Sequence, residues 1–480
     1  MIQATDYRGH RLSSANQTAV DACNAGVESY IQSRVDAMAN LDSAIEADNS
    51  FALPKLVKAW MLHASRNTAV ANTIQSLVDD VEACIDVSNN RDRDYLAALQ
   101  YARCGRGIEA ATVLEALLDR YPTDLLGHRL VQYELFWNGR ASWMREIIER
   151  AAPRWSDNVA GYSAFLAARA FSNEEAGCYA EAERYALQAI EIDDASIWGA
   201  HTIAHVHLMQ GRFDEGATWL ENLSGNWAAA NQMRHHLWWH LCLFLLERGE
   251  NHRILELLTT EIRNPDSPLV KAAPDATIDL QNVASILLRL ELRGVDVVNQ
   301  WPIIAEACAG RVHNHTNALG NAHDMMVLAA TGQMDQAESL MQSMREYAEI
   351  GDGSLRTSYL AAGIATCAAV LAHRRRDYTG VIETLSPVRH DLPLLGGSHA
   401  QRDIFYQILI DAAQRLGRAE LVLIYLRDIR RIGFDRLAER GLYRDAAGAT
   451  NLERNIANAA EPSGRDHIEA NREEISRDDQ

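Results

Sequence analysis

Gln210-Gly211-Arg212-Phe213-Asp214-Glu215-Gly216-Ala217 decides how this chain folds. An apolar-periodic run ends at Gly211, a short polar turn follows, and a new amphipathic run begins at Phe213, the pattern of two helices joined by a tight turn. Glycine suits the joint because a helix ending in a left-handed residue then meets no Cβ penalty. The same phrase recurs at Gly105, Gly139, Gly177, Gly249, Gly294, Gly332 and Gly417. The first five glycines are 34, 38, 34 and 38 residues apart, and the next gaps are 45, 38 and 85. The last gap fits two units, with Arg375-Arg376-Asp377-Tyr378 at the missing turn. Such a period marks a helical-hairpin repeat, and each hairpin leaves an apolar face that only its neighbours can bury. The predicted fold is therefore all-α, with hairpins stacked in a right-handed curved solenoid forming a single domain over residues 1–444. After Arg444 the periodicity fades and charge dominates, which predicts a mobile tail over 445–480.

Composition narrows the function classes. With 46 Lys+Arg against 65 Asp+Glu the 480-residue chain carries a formal charge of −19, which argues against nucleic-acid binding, since phosphates need clustered positive charge. The basic run His373-Arg374-Arg375-Arg376 falls at a hairpin turn and reads as a solvated turn. The windows Trp238 to Leu246 and Ala361 to Ala372 are broken or too short to span a bilayer, and MIQATDYRGHRL has no export or lipidation pattern, so a cytoplasmic protein without membrane contact is expected. Seven scattered cysteines, never in a C-x-x-C pair, read as buried thiols of a reducing compartment. No Rossmann, P-loop or nucleophile-elbow pattern is present.

Several stretches go beyond a generic repeat. Ala204-His205-Val206 with Met209-Gln210-Gly211-Arg212, His236-Leu237-Trp238-Trp239-His240-Leu241, Leu290-Glu291-Leu292-Arg293-Gly294 and Gly396-Gly397-Ser398-His399-Ala400-Gln401-Arg402-Asp403 resemble the tetratricopeptide-repeat protein 38 family, in a bacterial-type member. The match runs from the Pro122-Thr123-Asp124 turn to Arg418. It implies stacked tetratricopeptide-like hairpins whose first helices line a concave groove, and it implies no particular activity. Where the family tends to carry a glutamate before the Met-Gln-Gly turn, this chain has Leu208, so a role needing that carboxylate has no residue there.

Ten of the 17 histidines lie between His201 and His323, nine of them in three clusters: His201, His205, His207; His235, His236, His240; and His313, His315, His323. His201 and His205 are four apart, as are His236 and His240, so each pair shares a helix face and can hold one metal ion between its imidazoles. Asp279, Asp324 and Glu175 are candidate carboxylates for a mixed site. No zincin motif is present, because Thr and Leu follow His201 and His236. The competing reading makes these histidines packing residues satisfied by backbone and neighbouring Asn or Asp.

Ser398 with Gln401 forms a capping-box pattern, so a helix starts after Gly396-Gly397, and its free N–H groups beside His399, Arg402 and Asp403 form a candidate anion pocket. The alternative is a capped helix whose Arg402 pairs with a neighbouring carboxylate. The functional centre is accordingly placed at His201, His205, His236, His240, Asp279, His323 and Asp324 as acid–base or metal-binding groups. Trp198, Trp239, His399, Arg402 and Asp403 are the ligand-binding candidates. Two functions compete: a closed pocket that binds, and acts on, a small polar or anionic molecule, and an open groove that scaffolds a peptide. Cofactor, metal and oligomeric state are not legible in the sequence.

Overall fold

All eight hairpin glycines adopt positive φ, between 65° and 79°, and Arg376 takes φ 59° at the turn that lacks glycine. The computed structural model describes residues 4–85 and 89–449, which are all-α, with no strand among them beyond two isolated bridges. Helices precede and follow each turn except that at Gly294. Tyr162–Glu175 packs on Tyr179–Ile192, and Ile197–Met209 packs on Phe213–Leu223; farther along, Met233–Arg248 lies on Asn251–Leu257 and Ala318–Ala330 on Met334–Ile350. After Gly294 the pattern loosens, and only a short helix, Ala305–Ala309, leads back into the array.

The two helices of a hairpin differ in burial. Phe213–Leu223 buries only Gly216, Ala217 and Leu220, a single stripe, whereas every residue of Ile197–Met209 except Trp198 is buried. Ala318–Ala330 is likewise buried on all sides apart from Ala330. A helix buried all round has protein on both faces, so the side of these helices that faces away from their hairpin partners is also covered. The cover is the chain's own: His399–Arg415 lies against Ile197–Met209, Thr277–Leu292 and Ile364–Arg374. The amino-terminal hairpins also return onto the later ones. The Arg66 carbonyl accepts from Thr277 Oγ1, Asn314 Nδ2 and Thr316 Oγ1 at 2.8–3.0 Å. Asn231 N–H donates to Ser33 O at 2.7 Å, and Leu355 N–H to Gly105 O at 3.1 Å.

The apolar core divides in two, one part running from Leu12 to Phe171 and the other from Ile197 to Ala447. Small clusters around Leu166, Ala170, Ala186 and Ile203 join them. The interruption is chemical, since Ser172, Asn173, Glu174, Glu175, His201 and His205 are all buried at this junction.

Three expectations are corrected. The boundary at Arg444 falls inside a helix, Gly441–Gly448, whose Tyr443 donates to Asp403, so packed structure continues past it; 450–480, the rest of the expected tail, lies outside the described residues. Only Cys23, Cys242, Cys308 and Cys367 are buried, because the other three sit at helix ends and turns; all seven are free thiols. The Ala361 to Ala372 window belongs to a longer helical stretch, Gly353–Arg374, which is long and apolar enough to cross a membrane, and 56% of its most apolar window is buried inside the protein.

Two outcomes test this packing. A Cβ at Gly139 would overlap the Pro393 carbonyl, whereas one at Gly177 meets nothing within 4 Å. Gly177→Ala should therefore cost only the left-handed penalty, about 1–2 kcal/mol, and Gly139→Ala clearly more, about 2–5 kcal/mol in denaturant melts. His128 is buried edge-on to Trp155 and Phe165, and burial pushes its pKa down to about 4. The folded state thus binds its proton less readily than the unfolded chain, so this contribution is complete above pH 6.5 and lost as pH falls towards 4. Thermal melts should show roughly 2 kcal/mol of stability lost between pH 7 and pH 5 from this residue, a share absent in His128→Gln.

Candidate functional site

Two helices that are buried on both faces bring the histidines together. Ser196 caps Ile197–Met209 by accepting from Gly199 N–H, and the 3.6-residue turn then stacks His201 under His205. Met233–Arg248 does the same for His236 and His240 and packs directly on the first helix. The four imidazoles converge, with one ring nitrogen from each lying within 4.8 Å of the others. His201 Nε2 and His205 Nε2 are 3.1 Å apart, and the ring centres of His205 and His240 are 4.5 Å apart. Aromatic walls close the cluster: Trp239 stacks on His236 at 4.9 Å, Phe171 lies 5.4 Å from His201, and Trp198 meets His201 edge-on at 5.5 Å. Trp238, its neighbour in sequence, faces the other way onto Trp227.

One of the four rings is held by an outer hydrogen bond, and a second has carboxylates close by. His236 Nδ1 is 2.9 Å from Asn282 Oδ1, which leaves Nε2 facing the cluster. His205 Nδ1 lies 3.3 Å from Glu174 Oε2 and 3.9 Å from Glu175 Oε1, close but not aligned as a hydrogen bond. His201 Nδ1 and both nitrogens of His240 have no partner. Burial pushes the His205 and His236 pKa values down to about 4 and those of His201 and His240 well below the usual range, so all four are neutral. Burial likewise pushes Glu174 and Glu175 up to about 8, and the charge of Glu174 adds to the rise at Glu175.

Against this frame the other candidates separate. The capping box at Ser398 is present, and His399 and Arg402 lie inside the protein, near the two glutamates. His399 Nε2 is 3.4 Å from the Glu175 carbonyl, while Arg402 donates to the Gly396 and Gly397 carbonyls. Its charge is thus answered by protein groups rather than left for a ligand. Asp403 is one helix step round, accepting from Tyr443 and Gln407, which removes it from the pocket. Asp279 pairs with His235 Nδ1 at 2.9 Å. Asp324 faces Arg311 at 3.4 Å. His323 repeats the register of His240 but turns its Nδ1 onto its own helix, 2.7 Å from the Leu319 carbonyl, and packs on Phe405. His313 and His315 bind Ser343 and Tyr359 in the preceding loop. The predicted centre therefore divides into a four-histidine core and separate groups paired elsewhere.

Sequence reasoning passed over Glu174, Asn282 and Phe171. The signal for Glu174 was its place three residues before hairpin Gly177, one hairpin ahead of the site where the resembled family tends to carry a glutamate. No family model matches this sequence.

Four buried nitrogens without partners cost stability in the metal-free protein. His240→Leu, which removes two of them at similar volume, should raise the midpoint of thermal unfolding in chelator by an amount equivalent to about 1–3 kcal/mol. A lower midpoint would show that those nitrogens are satisfied by internal water.

Proposed function

We propose that this chain is a tetratricopeptide-like array, right-handed and related to the tetratricopeptide-repeat protein 38 family, that holds one divalent transition-metal ion among His201, His205, His236 and His240. The ion serves chemistry on a small polar or anionic molecule. The observation carrying this reading is the convergence of four neutral imidazoles, several nitrogens unpartnered, in a place where water does not reach.

The donor set fits the group. A tetrahedral ion with bonds of about 2.0–2.1 Å needs ligand nitrogens about 3.3 Å apart, and the His201–His205 pair at 3.1 Å already meets that spacing. The other ring nitrogens lie no more than 4.8 Å apart. Imidazole without thiolate suits zinc, copper, iron or nickel rather than magnesium or calcium. Asn282 acts as a positioning residue, holding His236 by the nitrogen that faces away from the ion, and Glu174 lies 3.3 Å from His205 Nδ1 on the same outer side. When bound, the ion supplies Lewis acidity; the aromatic walls of Trp198, Trp239 and Phe171 keep water out. Closure of the concave side by His399–Arg415 favours such a pocket over a peptide groove, which must be open along its length. A reducing, cytoplasmic setting agrees with the seven free thiols.

Metal analysis of the purified full chain, loaded with zinc and dialysed, should give one ion per chain. His201→Ala and His240→Ala should lose it while remaining helical, and Asn282→Ala should bind about 10–100-fold more weakly. A folded wild-type protein that retains no zinc, copper, iron or nickel would make the four histidines packing residues.

A further inference from the structure

A cavity of about 380 Å³ lies where the amino-terminal hairpins return onto the later ones. Its wall joins segments far apart in the chain, with Arg66, Glu134 and Trp137 on one side and Asn317, Tyr347 and Ser358 on the other. Cys104 and Asp352 also line it and are exposed, so it opens to solvent on their side. Its volume falls in the range of small-molecule pockets, roughly 300–1000 Å³. None of its lining residues belongs to the histidine cluster.

The residues of this wall carry hydrogen-bonding groups that the protein does not answer. Arg66 Nε, Trp137 Nε1 and Asn317 Nδ2 are buried without a partner, and each can only donate. The Asn317 amide is fixed in that sense, because its Oδ1 already accepts from Gly320 N–H. Ser358 Oγ is buried and unpartnered as well, and the Tyr347 hydroxyl meets no protein partner among the described residues. Glu134 supplies the opposite character. Its Oε1 accepts from Arg66 Nη2 at 3.2 Å, while its Oε2 meets no donor among the described residues. Burial alone would raise the Glu134 carboxyl, but the charge of Arg66 and the nearness of His63 hold it below the usual carboxylate range, so it is ionised. Arg66 also takes φ 53°, the left-handed backbone that favours glycine, so its guanidinium is kept there at a cost. Unanswered groups gathered on the wall of one cavity point to an occupant.

The mixture selects the chemistry of that occupant. Glu134 repels an anion and Arg66 repels a cation, whereas a hydroxyl group donates to a carboxylate and accepts from an N–H group at once. Several hydroxyls on one small uncharged frame describe a sugar, whose C–H face packs on an aromatic ring, and Trp137 and Tyr347 supply two such rings. We propose that this cavity binds a neutral mono- or disaccharide, with hydroxyls on Glu134, Arg66, Asn317 and Ser358 and the apolar face of the sugar on Trp137 or Tyr347. The site is independent of the metal reading above. Its occupant ties the amino-terminal hairpins to the later ones, because both contribute to the wall.

Calorimetric titration of the full chain with glucose, galactose, mannose and maltose tests this, with acetate and methylamine at matched ionic strength as charged controls. At least one sugar should bind, one molecule per chain, and equally well with zinc or chelator present. Trp137→Phe and Tyr347→Phe keep a ring and remove one hydrogen-bonding group, so each should weaken that sugar by about three- to tenfold with helicity unchanged. Absence of binding by all four sugars overturns the proposal and leaves water to answer the wall. Equal binding by wild type and both variants places the sugar elsewhere and overturns it too. Acetate or methylamine binding as tight as the best sugar overturns the choice of ligand, and loss of helicity in both variants makes Trp137 and Tyr347 structural residues. Sugar binding that depends on Trp137 and Tyr347 in a chain that retains no metal upholds the cavity site while the metal reading falls.

Discussion

A helix buried on every side leaves its polar side chains no water, so each must find its partner within the protein. Ile197–Met209, Met233–Arg248, Thr277–Leu292 and Ala318–Ala330 are held in that state, with His399–Arg415 packed against the first and third of them. Their polar residues are then sorted by whether a partner is in reach. Asp279 finds His235, Asp324 finds Arg311, and His323 finds the carbonyl of Leu319. His201, His205 and His240 keep unanswered nitrogens, and these are the ones that converge.

The same desolvation shapes the electrostatics. It holds the four imidazoles neutral, which is the protonation state in which they ligate metal, and it lifts both glutamates beside His205. The break between the two apolar cores has this origin as well. Polar residues at the ends of Tyr162–Glu175 and along Ile197–Met209 interrupt aliphatic contact where the two halves meet. The His cluster lies along that junction, with Trp198 and Phe171 as its wall. A joint between two cores is where a protein can keep polar groups and a cavity at least cost to packing.

The hairpins were legible because glycine at a left-handed turn and a 3.6-residue apolar period are local properties, read from a few neighbours in sequence. The all-α class, the turn at Arg376 and the capping box at Ser398 follow from that local chemistry. The i,i+4 pairs His201/His205 and His236/His240 were legible for the same reason, since one helical turn places each pair on one face. Which pairs meet was not. His323 sits nine residues before its hairpin glycine, as His240 does, yet its ring bonds the Leu319 carbonyl and packs on Phe405 instead. Nor did local pattern indicate that Arg402 would be answered by the carbonyls of its own turn. By itself the sequence determined the helices, their turns and the faces on which histidines sit. Tertiary structure alone decided which of those faces are sealed from water and which buried polar groups lack partners, because folding brings together side chains far apart in the chain.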